Sequence, residues 1–295
     1  MLRYNYSKRR LYGGAKVNNK FMPGKIFIKN IQGEKELFSL GKVFRSAKRV
    51  GASDQEAKKI AAVVEREAYS GMKTTEIFQK VREMLEKKDP KAVMRFNLRE
   101  AMRKLGPTGY SFEKYAGEIF KSMGYKVKLN LFIPGKCATY EIDFLAEKDN
   151  FIYIGECKYH KLPEGKVDLQ VALANCARFH DILAAGKFGS KEVKSILVTN
   201  TKLTAEAIKF SECKDIDLLG WRYPAEQGLE YLIESRNLYP LTILPSFSGR
   251  LSESLSGQKT MLVKNILEMR DAGSSQTYDK GFSSLVKEAE ILLGK

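Results

Sequence analysis

One segment of the sequence ends an apolar strand with closely spaced charges. Residues 151–160 read FIYIGECKYH, so four apolar residues lead through a glycine into a glutamate, a cysteine and a lysine. The apolar run is typical of a strand buried on both faces. Because side chains two residues apart on a strand share a face, Glu156 and Lys158 emerge side by side, and Cys157 points towards the core. Charges are seldom buried without a partner or a metal ion, so this strand end is a candidate site.

A strand with two acidic residues precedes this one. The segments ATYEIDFLAE and NFIYIGECKY predict a hairpin that turns at about 148–150. Glu141 and Asp143 share one face of the first strand because side chains alternate. Antiparallel pairing places them opposite the residues that include Glu156 and Lys158, with the register open by a residue or two.

Up to three carboxylates and one lysine therefore meet at one end of the predicted sheet. Like charges this close repel by several kcal/mol at a low effective dielectric, unless a divalent cation lies between them. Oxygen ligands with positions left for water suit Mg²⁺ or Mn²⁺. The lysine can orient or deprotonate a water molecule for attack on phosphorus. The alternative is a structural ion pair between Glu156 and Lys158.

Helices and strands alternate around this hairpin. The predicted elements are a helix at 110–123 that ends at Gly124, strands at 125–133, 138–147 and 150–159, a helix at 165–186, a strand at 195–200, a helix at 203–211 and a strand at 216–221. Such an order predicts a mixed α/β sheet with helices on its faces.

The first third of the chain has a different pattern. KIFIKNIQGEKELF predicts a short hairpin with Gly33 in its turn, and Ser53 with Glu56 forms a capping box. Helical patterns occupy 40–50, 53–70, 74–88 and 90–104. Turn-rich and serine-rich segments then divide the chain. The predicted parts are a basic flexible arm at 1–22, a mostly helical domain at 23–106, an α/β domain at 107–246, and a linker with a small helical domain at 247–295.

The net charge of +16 is concentrated at the start of the chain. Residues 1–22 contain six basic and no acidic residues, and residues 23–106 contain 20 basic and 11 acidic ones. Such a surface favours a polyanion, because neutralising phosphates releases counterions; a merely soluble basic surface is the alternative. The four cysteines are far apart, which favours reduced thiols over a zinc site. No apolar run approaches the length of a membrane span and no signal peptide opens the chain, so we expect a cytoplasmic protein.

These features resemble the PD-(D/E)xK nuclease superfamily, and most closely its Mrr-like restriction endonuclease branch. The resemblance covers about 108–240, and the residues that carry it are Glu113, Asp143 and the tripeptide Glu156-Cys157-Lys158. The proline of the family's name is an isoleucine here, at a position where the superfamily varies. The resemblance implies a restriction-endonuclease-like αβββαβ mixed sheet.

In that family the aspartate and the glutamate hold a metal ion, and the lysine assists the attacking water. The resemblance therefore assigns the metal to Asp143 and Glu156 and a catalytic role to Lys158. Glu113 matches a helical glutamate that often completes the metal shell. Gln170 matches a glutamine often found near the site, on the helix after the motif strand. The implied cofactor is Mg²⁺ or Mn²⁺.

The first third, over about 25–105, resembles an ATP-cone, the nucleotide-sensing module at the front of ribonucleotide reductases. The segment GMKTTEI and the spacing around Lys42 match best. In that family the lysine matched by Lys42 contacts phosphate, and the positions matched by Glu36, Ser39 and Thr74 help hold the nucleotide. The family's Lys-Arg pair before the turn is Asn-Ile here. Because no P-loop motif is present, ATP or dATP would be an effector rather than a fuel.

Together these features predict a metal-dependent endonuclease that hydrolyses DNA and responds to an adenine nucleotide. A non-catalytic DNA-binding or regulatory protein with a degenerate nuclease fold and an RNA-processing nuclease stay open as alternatives. For the first third, a small basic helical domain that binds nucleic acid or protein stays open. The expected partners are nucleic acid and the nucleotide, without a membrane, and assembly into a homo-oligomer is left open.

Overall fold

A five-stranded mixed sheet forms the centre of the α/β region. The computed structural model describes residues 25–87, 89–105, 112–247, 251, 255, 260–272 and 280–295, so the predicted arm at 1–22 lies outside the described residues. The strands are β1 (Phe27–Lys29), β2 (Lys35–Leu37), β3 (Lys126–Pro134), β4 (Thr139–Lys148), β5 (Phe151–Lys158), β6 (Lys166–Val167), β7 (Glu192–Thr199), β8 (Lys202–Leu203) and β9 (Asp217–Leu219). The sheet order is β3-β4-β5-β7-β9, antiparallel from β3 to β5 and parallel from β5 to β9.

Helices cover this sheet and form most of the first third. The described α-helices are α1 (Leu40–Arg49), α2 (Asp54–Glu67), α3 (Thr74–Glu86), α4 (Pro90–Phe96), α5 (Leu98–Arg103), α6 (Phe112–Ser122), α7 (Leu169–Ala184), α8 (Ala205–Cys213), α9 (Leu229–Ser235), α10 (Val263–Asp271) and α11 (Lys280–Leu293). Leaving out β6, which pairs with β8 outside the five-stranded sheet, the order α6-β3-β4-β5-α7-β7 confirms the predicted αβββαβ arrangement.

Two predicted helix boundaries are wrong. The helix predicted at 90–104 is two helices, α4 and α5, which meet at Asn97. Asn97 makes no side-chain capping hydrogen bond to the start of α5, so the break is not explained by a cap. The helix predicted to begin at 165 begins at Leu169 instead, because Asp168 caps it by accepting a hydrogen bond from the backbone N of Val171 at 3.2 Å. The two residues before this cap form β6, which pairs with β8.

The first third confirms the predicted hairpin and the predicted capping box. β1 and β2 pair antiparallel, and Gly33 in their turn has a φ of 83°, which favours glycine. Ser53 and Glu56 exchange both hydrogen bonds of the capping box at the start of α2. Helices α1 to α4 then share their own small apolar core.

The predicted hairpin of β4 and β5 is also confirmed, and its turn contains Asp149 with a φ of 53°. On the other side of β4, the residues of β3 and β4 pair continuously except at one position, where Asn130 lies opposite Asp143 without pairing. Asn130 has a left-handed φ of 51°. The regular pairing is therefore interrupted at the residue that carries one of the candidate metal-binding carboxylates.

The two faces of the sheet pack against different helices. Phe120 of α6 packs on Phe144 of β4, with ring centroids 4.8 Å apart. On the opposite face, Ile152 and Ile154 of β5 form a second cluster with Phe179 of α7. Because side chains alternate along β5, Glu156 lies on the α7 face.

The larger core extends beyond the α/β region in both directions. Buried residues of α4 and α5 before it, and of α9 to α11 after it, belong to the same cluster as Phe144. Two hydrogen bonds link these parts, from Tyr115 Oη to the carbonyl of Leu238 at 2.5 Å and from Thr242 Oγ1 to the carbonyl of Ala101 at 2.7 Å. The boundaries at 106 and 246 stay predictions. In the described part of the chain, no helix has both the length and the apolar character that a membrane span requires.

Candidate active site

Two carboxylates meet where β4 and β5 lie side by side. Asp143 Oδ2 accepts a hydrogen bond from the backbone N of Cys157 at 2.6 Å. Glu156 is adjacent to Cys157 on β5, and its side chain is 17% exposed. The side-chain hydrogen bond holds Asp143 against β5 beyond the last backbone pair of the β4–β5 ladder, Phe144 opposite Gly155. The sequence pattern therefore placed both acids at one end of the sheet correctly.

Arg178 is a residue of this site that the sequence pattern did not reveal. Its Nη1 forms an ion pair with Glu156 Oε2, and its side chain is half-buried. Arg178 follows Gln170 by eight residues on α7, about two helical turns. An arginine next to the buried Phe179 could have served as a signal, but its partner depends on how α7 packs across the sheet.

Both carboxylates have a raised pKa. Burial is the main cause for each of them. The nearby Arg178 guanidinium opposes the rise in both, whereas the charge of Asp143 adds to the rise at Glu156. The protein therefore holds two ionisable acids in a place where their charges are incompletely compensated.

The donor set fits a magnesium ion better than a metal that needs a protein cage. Within the described ranges, no three acidic, histidine or cysteine side chains form a group that could hold a metal ion. Mg²⁺, however, is usually bound by one or two carboxylates together with water and substrate phosphates. The hydrogen bond and the ion pair engage Oδ2 of Asp143 and Oε2 of Glu156. Among the described residues no hydrogen-bond donor contacts Oδ1 or Oε1, so each acid keeps an oxygen for a cation.

The other three predicted residues, Lys158, Gln170 and Glu113, lie on three different elements and differ in exposure. Lys158 is exposed at the end of β5, and Thr199 Oγ1 donates to its carbonyl oxygen at 2.6 Å. Gln170 is exposed in the first turn of α7. Glu113 is half-buried on α6, and it contributes to the raised pKa of the Cys157 thiol, whose main cause is burial. Among the described residues Glu113 does not join Asp143 and Glu156 in a group of three that could hold a metal ion, so the predicted three-acid metal set is not assembled.

Cys157 and the residues after it show how the strand end is fixed. Cys157 packs against the larger core, which confirms the predicted packing role. Asn200, just after β7, accepts from the backbone N of His160 at 2.8 Å and donates to its carbonyl at 2.9 Å. This paired amide contact ties the segment after β5 to the end of β7, and so it limits where the backbone of Lys158 can move.

The four residues predicted to bind a nucleotide line one cavity of about 200 Å³ in the first third of the chain. Glu36 pairs with Lys42 at 3.1 Å, and Ser39 Oγ caps α1 by accepting from the backbone N of Lys42 at 3.3 Å. Thr74 is the first residue of α3. The hairpin lies beside the start of α3, because the backbone N of Lys29 donates to the carbonyl of Met72 at 2.9 Å.

The raised pKa of Asp143 predicts a pH-dependent effect of Asp143→Asn on stability. A carboxyl group with a raised pKa in the folded state costs stability once the pH rises above its ordinary value of about 3.9. The amide removes this cost, so with a chelator present we expect a higher melting temperature than wild type at pH 7, and a gap that closes below about pH 4. Thermal unfolding at both pH values tests this. Glu192→Gln, at the other end of the sheet, is the control variant, and a lower melting temperature of Asp143→Asn at pH 7 would contradict the prediction.

Comparison with known proteins places this site within a family. Residues 105–220 match the model of a family described as restriction endonuclease. An uncharacterized protein of Archaeoglobus fulgidus is 39% identical over 126 residues, which are 43% of this chain and 69% of that protein. The crystal structure of AF1548, a protein of unknown function, has 28% sequence identity and a TM-score of 0.52, over 62% of this chain and 97% of that one.

Proposed function

Because residues 105–220 belong to the restriction endonuclease family, we propose that this chain is a metal-dependent endonuclease that hydrolyses DNA phosphodiester bonds. The observation that carries the proposal is the pair of half-buried carboxylates, Asp143 and Glu156, held side by side on neighbouring strands. Their raised pKa values indicate that both negative charges are unfavourable at this site unless a cation neutralises them.

Each residue has a role in this proposal. Asp143 and Glu156 would hold Mg²⁺ or Mn²⁺. Glu113 forms no three-acid group with them among the described residues, so it would contact a water molecule on the ion rather than the ion itself. When bound, the ion would polarise the phosphate and lower the pKa of a water molecule. Lys158, exposed beside the carboxylates, would orient that water or take its proton. Gln170 would contact the substrate near the start of α7.

The proposal includes an adenine nucleotide, ATP or dATP, as an effector bound by the first third of the chain. Glu36, Ser39, Lys42 and Thr74 line one cavity, which supports this part. Since the sequence lacks a P-loop, binding without hydrolysis is expected, and the nucleotide would act by stabilising one of two conformations.

The second candidate is a DNA-binding protein that no longer cleaves. The ion pair between Arg178 and Glu156 favours it, because an arginine already neutralises an acid that would otherwise attract a cation. A protein of this kind would keep the fold and bind DNA without turnover.

Incubation with nucleic acid separates the two candidates. Plasmid DNA, single-stranded DNA and RNA would each be incubated with the full chain and Mg²⁺ or Mn²⁺, with and without ATP or dATP. We expect cleavage of DNA that a chelator abolishes. Retention of DNA on the protein without any cleavage would favour the second candidate, and cleavage of RNA alone would overturn the choice of substrate.

A further inference from the structure

Two adjoining cavities connect the first third of the chain with the α/β region. The cavity of about 200 Å³ has an apolar wall that includes Phe78 and Phe96, whose rings stack with centroids 4.5 Å apart. A second cavity, of about 370 Å³, is lined on one side by the β1–β2 turn and on the other by 163–166 and Lys202. Both cavities are lined by Glu36, Lys42 and Thr74, so they meet at these residues.

The α/β side of the larger cavity carries two lysines that face the same space. Lys166 of β6 and Lys202 of β8 are direct partners across this short parallel sheet. Like charges opposite each other on a sheet are destabilising. No ion pair of the described residues includes either lysine, although the carboxylates of Glu164 and Glu36 also line the cavity. Glu36 is already paired with Lys42 at 3.1 Å.

Positive potential from other groups converges on the same place. Partial burial lowers the pKa of Lys202, and the charges of Arg99, Lys166, Arg222 and Lys42 lower it further. The N-terminus of α3 adds to this field, since Thr74 begins this helix beside both cavities. Helix N-termini attract phosphate because their first N–H groups lack intrahelical partners.

We propose that a nucleoside triphosphate occupies both cavities, with its base in the smaller one and its phosphates in the larger one, between Lys42 on one side and Lys166 and Lys202 on the other. This proposal rests on the nucleotide effector of the proposed function and is independent of DNA cleavage. A nucleoside triphosphate joins a flat aromatic base to a chain of phosphates. The base matches the aromatic wall of the smaller cavity, and the phosphates match the lysines of the larger one. The α/β region would then supply part of the effector site.

Such a site would connect the nucleotide to the candidate active site through few residues. Val167 and Asp168 alone separate Lys166 from α7, the helix that carries Gln170 and Arg178. Phosphate held by Lys166 would therefore fix the start of the helix whose arginine pairs with Glu156. An effector can shift an equilibrium only through such contacts that differ between two states.

Calorimetry of the full chain with ATP, without DNA, tests the proposal. Lys166→Ala and Lys202→Ala should each raise the Kd for ATP about tenfold, the effect of losing one charge-assisted contact with phosphate, which corresponds to about 1.4 kcal/mol. Inorganic triphosphate should bind more weakly than ATP and lose affinity by the same factor. Lys209→Ala, which removes an exposed lysine of α8, is the matched control and should leave the Kd unchanged.

Three results would overturn the proposal. The first is no binding of ATP to wild type at millimolar concentration. The second is a loss of affinity in Lys42→Ala with none in Lys166→Ala and Lys202→Ala, which would confine the nucleotide to the first third. The third is that Lys166→Ala and Lys202→Ala bind DNA more weakly and with less dependence on salt, while their binding of ATP is unchanged. This result would assign the two lysines to nucleic acid. Absence of cleavage by wild type that still binds ATP through these lysines would contradict the nuclease function alone.

Discussion

Asp143→Asn and Glu156→Gln should each reduce the rate of DNA cleavage at least about a hundredfold. The expected loss of rate is based on other enzymes, in which removal of one group that stabilises developing charge lowers the rate about a hundredfold or more. Each amide keeps the shape of the acid but loses the negative charge that would hold the cation. The fold should persist, because the amide that replaces the Asp143 carboxylate keeps a carbonyl oxygen that can accept from the backbone N of Cys157. Single-turnover cleavage of a labelled duplex with Mn²⁺ measures the effect.

The thermal shift caused by Mn²⁺ separates binding from chemistry. We expect Mn²⁺ to raise the melting temperature of wild type and of Lys158→Ala, but not of Asp143→Asn or Glu156→Gln. Lys158→Ala should nevertheless lose cleavage, because the ammonium acts on water and not on the cation. Glu192→Gln should match wild type in both measurements. Equal Mn²⁺ shifts in wild type and in both acid variants would show that the ion binds elsewhere, and near-normal cleavage by Lys158→Ala would remove this lysine from the mechanism.

Gly155→Ala should produce the largest loss of stability among single methyl additions near the site. A Cβ at this position would lie 2.1 Å from Cε1 and Cζ of Phe144, far inside van der Waals contact. Phe144 is fully buried against Phe120, so its ring has little room to move. Adding a methyl group to a packed core costs about 1–3 kcal/mol and occasionally more. Denaturant unfolding of the free protein measures the change in the free energy of unfolding.

Two further variants test whether contact with Phe144 causes the loss of stability in Gly155→Ala. In Gly41→Ala the new methyl group would meet only the flexible end of Arg45, at 3.2 Å, so stability should change by less than about 1 kcal/mol. Phe144→Leu should reduce the cost of Gly155→Ala when the two are combined, since residues in contact do not act additively. An unfolding free energy of Gly155→Ala within about 0.5 kcal/mol of wild type would show that the strands adjust easily.

The sequence predicts those features that depend on neighbouring residues. The order of two consecutive segments was enough to place Asp143 beside Glu156, because the turn near Asp149 joins the two strands directly. The predicted alternation from Glu141 to Asp143 is broken, since Ile142 packs in the cluster on the α7 face and Phe144 in the cluster on the opposite face. The partner of Glu156 was not accessible in this way. Arg178 reaches it only because α7 crosses the sheet, and this packing depends on apolar contacts between distant segments.

The difference between neighbouring and distant residues also explains why the sequence did not predict two helix ends or the cavity between the first third and the α/β region. The start of α7 after Asp168 depends on a single capping residue within an otherwise helical pattern, whereas no side-chain cap marks the break at Asn97. The pairing of Lys166 with Lys202 joins two segments of two residues each, which are too short to give an alternating pattern. Their approach to Lys42 depends on how the first third packs on the sheet.

The continuous core implies that the cooperative folding unit is larger than the segment that matches the family. The match ends at residue 220, whereas buried side chains of α9 to α11 and of α5 complete the core around Phe144 and Tyr115. A fragment cut at 105 and 220 would expose this apolar surface to water and would lose the acceptor of the Tyr115 hydroxyl. A truncated catalytic fragment is therefore expected to aggregate, and the shortest fragment that folds should run from α4 to α11.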